Sequence, residues 1–125
     1  MPRPIHFEFQ ADDPERAAKF YRTLFGWTIQ KWDGPVDYWL IMTGKAPEPG
    51  IDGGMMRRKP EAKDFNATYN TIDVPNLDQF LAKATGAGAT IVVPKMPIPG
   101  VGWLVYCKDT EGNIFGMMQP DKDAK

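Results

Sequence analysis

The sequence predicts an α+β fold built from two βαβββ modules, and three features carry that reading. An alternating strand is followed at once by a capped helix near the start of the chain. The same order returns about 63 residues later, with Tyr69 in the place of His6. Short apolar stretches punctuated by Gly, Pro and Asp follow each helix, as strands joined by tight turns do. The chain, read as one domain over 1–125, then divides into a first module at about 4–58 and a second at about 66–119. So short a repeat cannot bury both faces of its sheet, so two copies are expected to pair around a shared cavity.

In the first strand Ile5, Phe7 and Phe9 alternate with His6, Glu8 and Gln10, which puts the three polar side chains on one face. "DDPERAAKFYRTLFGW" reads as a helix: Asp13 as N-cap, Pro14 at the first helical position, an apolar stripe of Ala17, Phe20, Tyr21, Leu24 and Phe25, and Gly26 as the stop. That stripe needs the apolar strand face, which leaves His6, Glu8 and Gln10 on the side away from the helix. "WTIQKWDG", "DYWLIMTG" and "GIDGGMMRR" read as strands, and polar "RRKPEAKDFN" as a linker. The second module follows with strand "ATYNTIDV", then a helix capped by Asn76 and carrying Leu77, Phe80, Leu81 and Ala84. After it come strands "ATIVVPK", "GWLVYCKD" and "NIFGMMQ". "PKMPIPGVGW", with three prolines and two glycines, is expected to be a stiff loop rimming the pocket.

Composition narrows the function classes. Fifteen basic and sixteen acidic residues balance to a net charge of −1. Apart from Arg57, Arg58 and Lys59 the basic residues are scattered, so no nucleic-acid footprint is expected. The start "MPRPIHFEF" lacks the apolar run of a signal peptide or membrane anchor, so a cytoplasmic protein without a membrane partner is expected. Cys107 is the single cysteine, which excludes an internal disulfide; inside an apolar strand it reads as a small core filler.

Two βαβββ modules, a first strand bearing His6, the "DDPERAAKFY…FGW" helix and the closing "KDTEGNIFGMMQ" hairpin together resemble the vicinal oxygen chelate superfamily. Glyoxalase I, extradiol dioxygenases, fosfomycin-resistance enzymes and bleomycin-resistance proteins belong to it. The resemblance covers residues 4 to 119 and implies a cupped, mostly antiparallel mixed sheet with the helices on its outer face, and a homodimer. It also implies a divalent metal held by ligands on the first and last strands of each module. His6 falls on the first such ligand. The fourth strand offers Gly53, Gly54, Met55 and Met56, the matching position of the second module is Tyr69, and the last strand gives Gly116. His6 is therefore the one metal ligand expected if a metal is bound, with Glu8 a substitute. Ligand counting favours no cofactor, since a catalytic zinc needs about three protein donors.

Three functions follow. The first is a small-molecule-binding protein of the glyoxalase and bleomycin-resistance type, without a catalytic metal. Its expected lining is Gln10, Tyr69, Thr71, Trp39, Trp103, Met56 and Met118, with His6 and Glu8. Aromatic walls with a few polar anchors suit a planar organic molecule. The second is a glyoxalase-like lyase, isomerase or dioxygenase in which Glu8 raises the pKa of His6 and orients it as a base, Tyr69 donating a hydrogen bond, with or without an atypically bound metal. The third is a dimerising interaction domain whose cavity is filled by its own side chains.

Overall fold

The computed structural model describes residues 1–61 and 65–125; part of the expected linker lies outside them. Both βαβββ modules are present, and the fold is α+β. The chain forms two compact units, His6–Thr68 and Met1–Ile5 with Tyr69–Lys125.

The first unit takes β1 (Arg3–Ala11) from His6 onward, and the strand leads into α1 (Pro14–Phe25), then β2 (Thr28–Lys31), β3 (Tyr38–Met42) and β4 (Asp52–Arg57). The strands lie in the order β2-β3-β4-β1, antiparallel except for the β1–β4 pair. Asp13 caps α1 by accepting from the Arg16 amide at 3.1 Å, and Gly26 ends it at φ 73°. Ala17, Ala18 and Tyr21 pack against Phe7, Phe9, Ile29, Trp39, Ile41 and Met55, and this is the core of the unit. The expected helix stripe is too wide for one contact face. Phe20, Leu24 and Phe25 remain more than half exposed.

In the second unit, β5 (Tyr69–Asp73), α2 (Leu77–Gly86), β6 (Thr90–Ile98), β7 (Gly102–Lys108) and β8 (Ile114–Pro120) repeat that order, with the sheet running β5-β8-β7-β6. Only β5 and β8 are parallel. Asn76 caps α2 through the Gln79 amide, and Leu77, Phe80, Leu81 and Ala84 pack on Val74, Val105, Cys107 and Met117. The expected pocket-rim loop is a correction: residues through Ile98 belong to β6, and only a short turn around Gly100 (φ 76°) remains. Pro94 and Pro97 are tolerated because β6 lies at the end of this strand order and breaks register with β7 between Ile91 and Met96.

Candidate functional site

Alternation along β1 sends Phe7 and Phe9 to the helix and His6, Glu8 and Gln10 to the other face. Parallel β4 sets Asp52 beside His6, Gly54 beside Glu8 and Met56 beside Gln10. On β3, Tyr38 lies across from Met56 and Leu40 across from Gly54. Because residue 54 has no side chain, the Tyr38 ring leans over it; a Cβ there would stand 1.7 Å from the phenolic oxygen. The hydroxyl donates to Glu8 Oε2 at 2.8 Å and lies 2.8 Å from His6 Nε2, while His6 Nε2 and Glu8 Oε2 are 3.8 Å apart. Three strands thus contribute to a contiguous cluster: β1 supplies its acid and base, β3 its bridge, and β4 the space for that bridge.

Glu8 is 6% exposed, whereas the His6 side chain keeps 30% of its surface in solvent. Burial pushes the His6 pKa below its ordinary value of 6.5, and the carboxylates of Glu8 and Asp52 offset only part of that. The expectation that Glu8 raises this pKa is therefore corrected. Its direction is right, but loss of water around the ring outweighs it. The imidazole is neutral at pH 7.

Met56 shares the face of the cluster, as do Leu40 and Met42, which are 41% and 49% exposed. Gln10 stands at its margin, its Oε1 buried without a hydrogen-bond partner and its backbone carbonyl accepting from Arg58 at 3.0 Å. Two open clefts of about 520 Å³ each lie elsewhere in this unit, one along the loop 31–37 and one beside the start of α1, and neither is lined by His6 or Glu8. The clefts bring together mainly exposed loop and helix residues, and the acid–base chemistry sits on the open sheet face instead.

In the second unit Tyr69 and Thr71 are 4% and 5% exposed, and Thr71 lies beside Gly116. Tyr106, directly across from Gly116 on β7, packs edge-on against Tyr69 at 5.7 Å between ring centres. A Cβ at residue 116 would stand 3.1 Å from both Thr71 Oγ1 and the Tyr106 ring. Met118 pairs with Leu104 and with Asp73, on this same face. Tyr69, Thr71 and Met118 are therefore grouped here.

Two expected site residues are not. Trp39 is 2% exposed in the helix-side core of its unit, donating its indole N–H to Glu15 at 2.8 Å. Trp103 packs on the core under α2 and donates to Asp121 at 3.0 Å. Both are corrected from ligand walls to structural residues, because each strand turns alternate side chains to the helix and the parity of β3 and β7 assigns the tryptophans to that side. Cys107 is fully buried and burial pushes its thiol pKa up, as a core filler requires. Tyr38 is the site residue that sequence reasoning missed: "DYWLIMTG" shows it next to Trp39 but not its register against Gly54.

A family of proteins described as bleomycin resistance protein-like N-terminal matches residues 3–44. Proteins named "Putative glyoxylase CFP32" from Mycobacterium bovis and Mycobacterium tuberculosis are each 27% identical over 115 residues, 90% of this chain. The chain spans 42% of the length of these relatives. Among solved structures, methylmalonyl-CoA epimerase from Mycobacterium tuberculosis superposes with a TM-score of 0.70 at 13% identity, over 94% of this chain and 87% of that one. The hypothetical protein BH1468 from Bacillus halodurans gives 0.71 at 13%, over 98% and 97%. The matched proteins fall in the vicinal oxygen chelate superfamily, which this chain resembles in fold and, over residues 3–44, in sequence.

Resemblance to this superfamily raises the question of a divalent metal, and the donors here do not fit one. Among the described residues no three His, Cys, Asp or Glu side chains converge. His6 and Glu8 are a single pair already bridged by Tyr38, and the neighbouring strand position, Gly54, offers no donor and no room for one. In the second unit Gly116 is likewise enclosed by Thr71 and Tyr106.

Proposed function

We propose that this chain binds a small organic molecule on the open face of its first unit, through direct hydrogen bonds to the His6–Tyr38–Glu8 cluster rather than through a metal. The carrying observation is the cluster itself. A histidine, a tyrosine hydroxyl and a nearly buried carboxylate form one network, beside the exposed apolar side chains of Leu40 and Met42. Oriented polar groups next to uncovered apolar surface are what a ligand of mixed character requires. The flexible thioethers of Met42 and Met56 adapt to its outline. A neutral imidazole and two acidic neighbours disfavour an anionic ligand and suit a planar neutral or weakly basic one. A methylmalonyl-CoA epimerase of the same fold has been solved with methylmalonyl-CoA, which supports the general reading that such sheets hold organic ligands.

The test is a thermal-shift screen of planar heteroaromatic fragments, followed by titration of the best compound. Binding to wild type that weakens about tenfold in Tyr38→Phe is the expected result. Unchanged affinity in that variant would place the ligand elsewhere.

A second reading, proton transfer, is favoured by one further observation: His6 is neutral and linked through a hydroxyl to a carboxylate 3.8 Å away that would stabilise the imidazolium. It is separated from binding alone by incubating the bound compound in deuterated water. Deuterium incorporation that His6→Ala abolishes while binding persists marks catalysis, and no incorporation marks sequestration.

A further inference from the structure

We infer that the Tyr38 hydroxyl takes the place of a divalent cation between His6 and Glu8, and that it fixes His6 as the tautomer protonated on Nε2. The inference deepens the metal-free part of the reading above and rests on the geometry of the cluster, not on which molecule binds. A phenol has one proton. Here it is donated to Glu8 Oε2 at 2.8 Å, so the contact of the same length to His6 Nε2 is made through a lone pair of the phenolic oxygen. Nε2 must therefore supply the hydrogen of that bond, and a neutral ring protonated there keeps its lone pair on Nδ1.

This polarity is opposite to metal ligation. A cation needs a lone pair on the coordinating nitrogen, and Nε2, the imidazole nitrogen nearest the carboxylate, has given its lone pair up. Tyr38 thus excludes a cation twice, by filling the space between the two donors and by turning one of them into a hydrogen-bond donor. Gly54 belongs to the same device, since any side chain there would collide with the hydroxyl. The sequence couples the two residues: a donor residue at 54 and a tyrosine bridge cannot coexist.

His6 is the only histidine, so its ring nitrogens can be read in the nitrogen-15 spectrum of the intact chain without assignment. At about pH 8, where the ring is neutral, wild type should show at least a tenfold excess of the Nε2–H form. Zinc added alone should leave both nitrogen signals unmoved. Tyr38→Phe removes the bridge and keeps the ring, and the excess should fall at least about threefold. Glu8→Gln is the second variant, because a neutral amide can donate as well as accept and should raise the Nδ1–H population. A purely structural role for Tyr38 would change melting temperature without moving the tautomer. A dominant Nδ1–H form in wild type, an excess that neither variant changes, or a zinc-induced shift at Nε2 would each overturn the inference. Failure of the fragment screen with the tautomer as expected would sink the binding proposal alone.

Discussion

The two modules place a glycine at the same point of their sheets and cover it with different chemistry. In the first, Glu8 lies beside Gly54, and Tyr38 reaches over the glycine from the adjacent register position to join His6 and Glu8. In the second, Thr71 lies beside Gly116, and Tyr106 covers it from directly across, packed against Tyr69. One duplicated framework thus presents a titratable cluster in one copy and a close-packed wall of aromatic and hydroxyl side chains in the other. The bridged histidine–tyrosine–carboxylate cluster lies in the first copy, whereas the titratable group on the matching strand face of the second is Asp73, beside Met118.

The largest test of this comparison concerns the opposite faces. Trp39→Ala should destabilise by about 3–5 kcal/mol, because the ring is nearly enclosed by the core of its unit. Trp103→Ala, at a less buried position, should cost about half as much. Chemical denaturation of both variants measures this. A cost below about 1 kcal/mol for either variant would break the assignment of that tryptophan to structure.

The glycines come next. Gly54→Ala must expel Tyr38 and with it the bridge to His6 and Glu8, at about 2–3 kcal/mol. Gly116→Ala meets neighbours at 3.1 Å and should cost about 1 kcal/mol. If the two variants melt together, the covers are equivalent and the proposed difference between modules is lost.

A smaller effect is pH-dependent. The His6 pKa is lower in the folded chain than the ordinary 6.5, so the unfolded chain binds a proton that the native state refuses. Stability from this group is complete above about pH 6.5 and declines as pH falls through that value towards the native pKa. His6→Gln should flatten the decline in urea-denaturation midpoints above the carboxylate range, which lies near pH 4. Since the second module has no histidine, persistence of the decline in the variant would mean that another group causes it. Smallest of all, Gln10→Met should change stability by less than about 1 kcal/mol, as the side-chain oxygen it removes is already unpaired.

Much of this architecture was legible in the sequence because it rests on local rules. Alternation in "IHFEFQ" separated the faces of β1, Asp13, Pro14 and Gly26 bounded α1, and Asn76 started α2. What depends on register was not legible. Whether Trp39 or Tyr38 faces the helix is a one-residue choice in "DYWLIM", and only the pairing with β4 settles it. The same limit hid the bridge over Gly54 and put Trp103 on the wrong side. The prolines of "PKMPIP" pointed to a loop because local propensity cannot show that a strand lies at the end of the strand order, where missing amide donors are tolerated.

The most direct measurement is an amide proton–nitrogen correlation spectrum of wild type titrated with the best planar heteroaromatic fragment. Shifts should concentrate at His6, Glu8, Tyr38, Leu40 and Gly54 and weaken in Tyr38→Phe. Shifts confined to the clefts around 31–37 or the start of α1, or no saturable shift with any fragment, would contradict a ligand site on the open face of the first module.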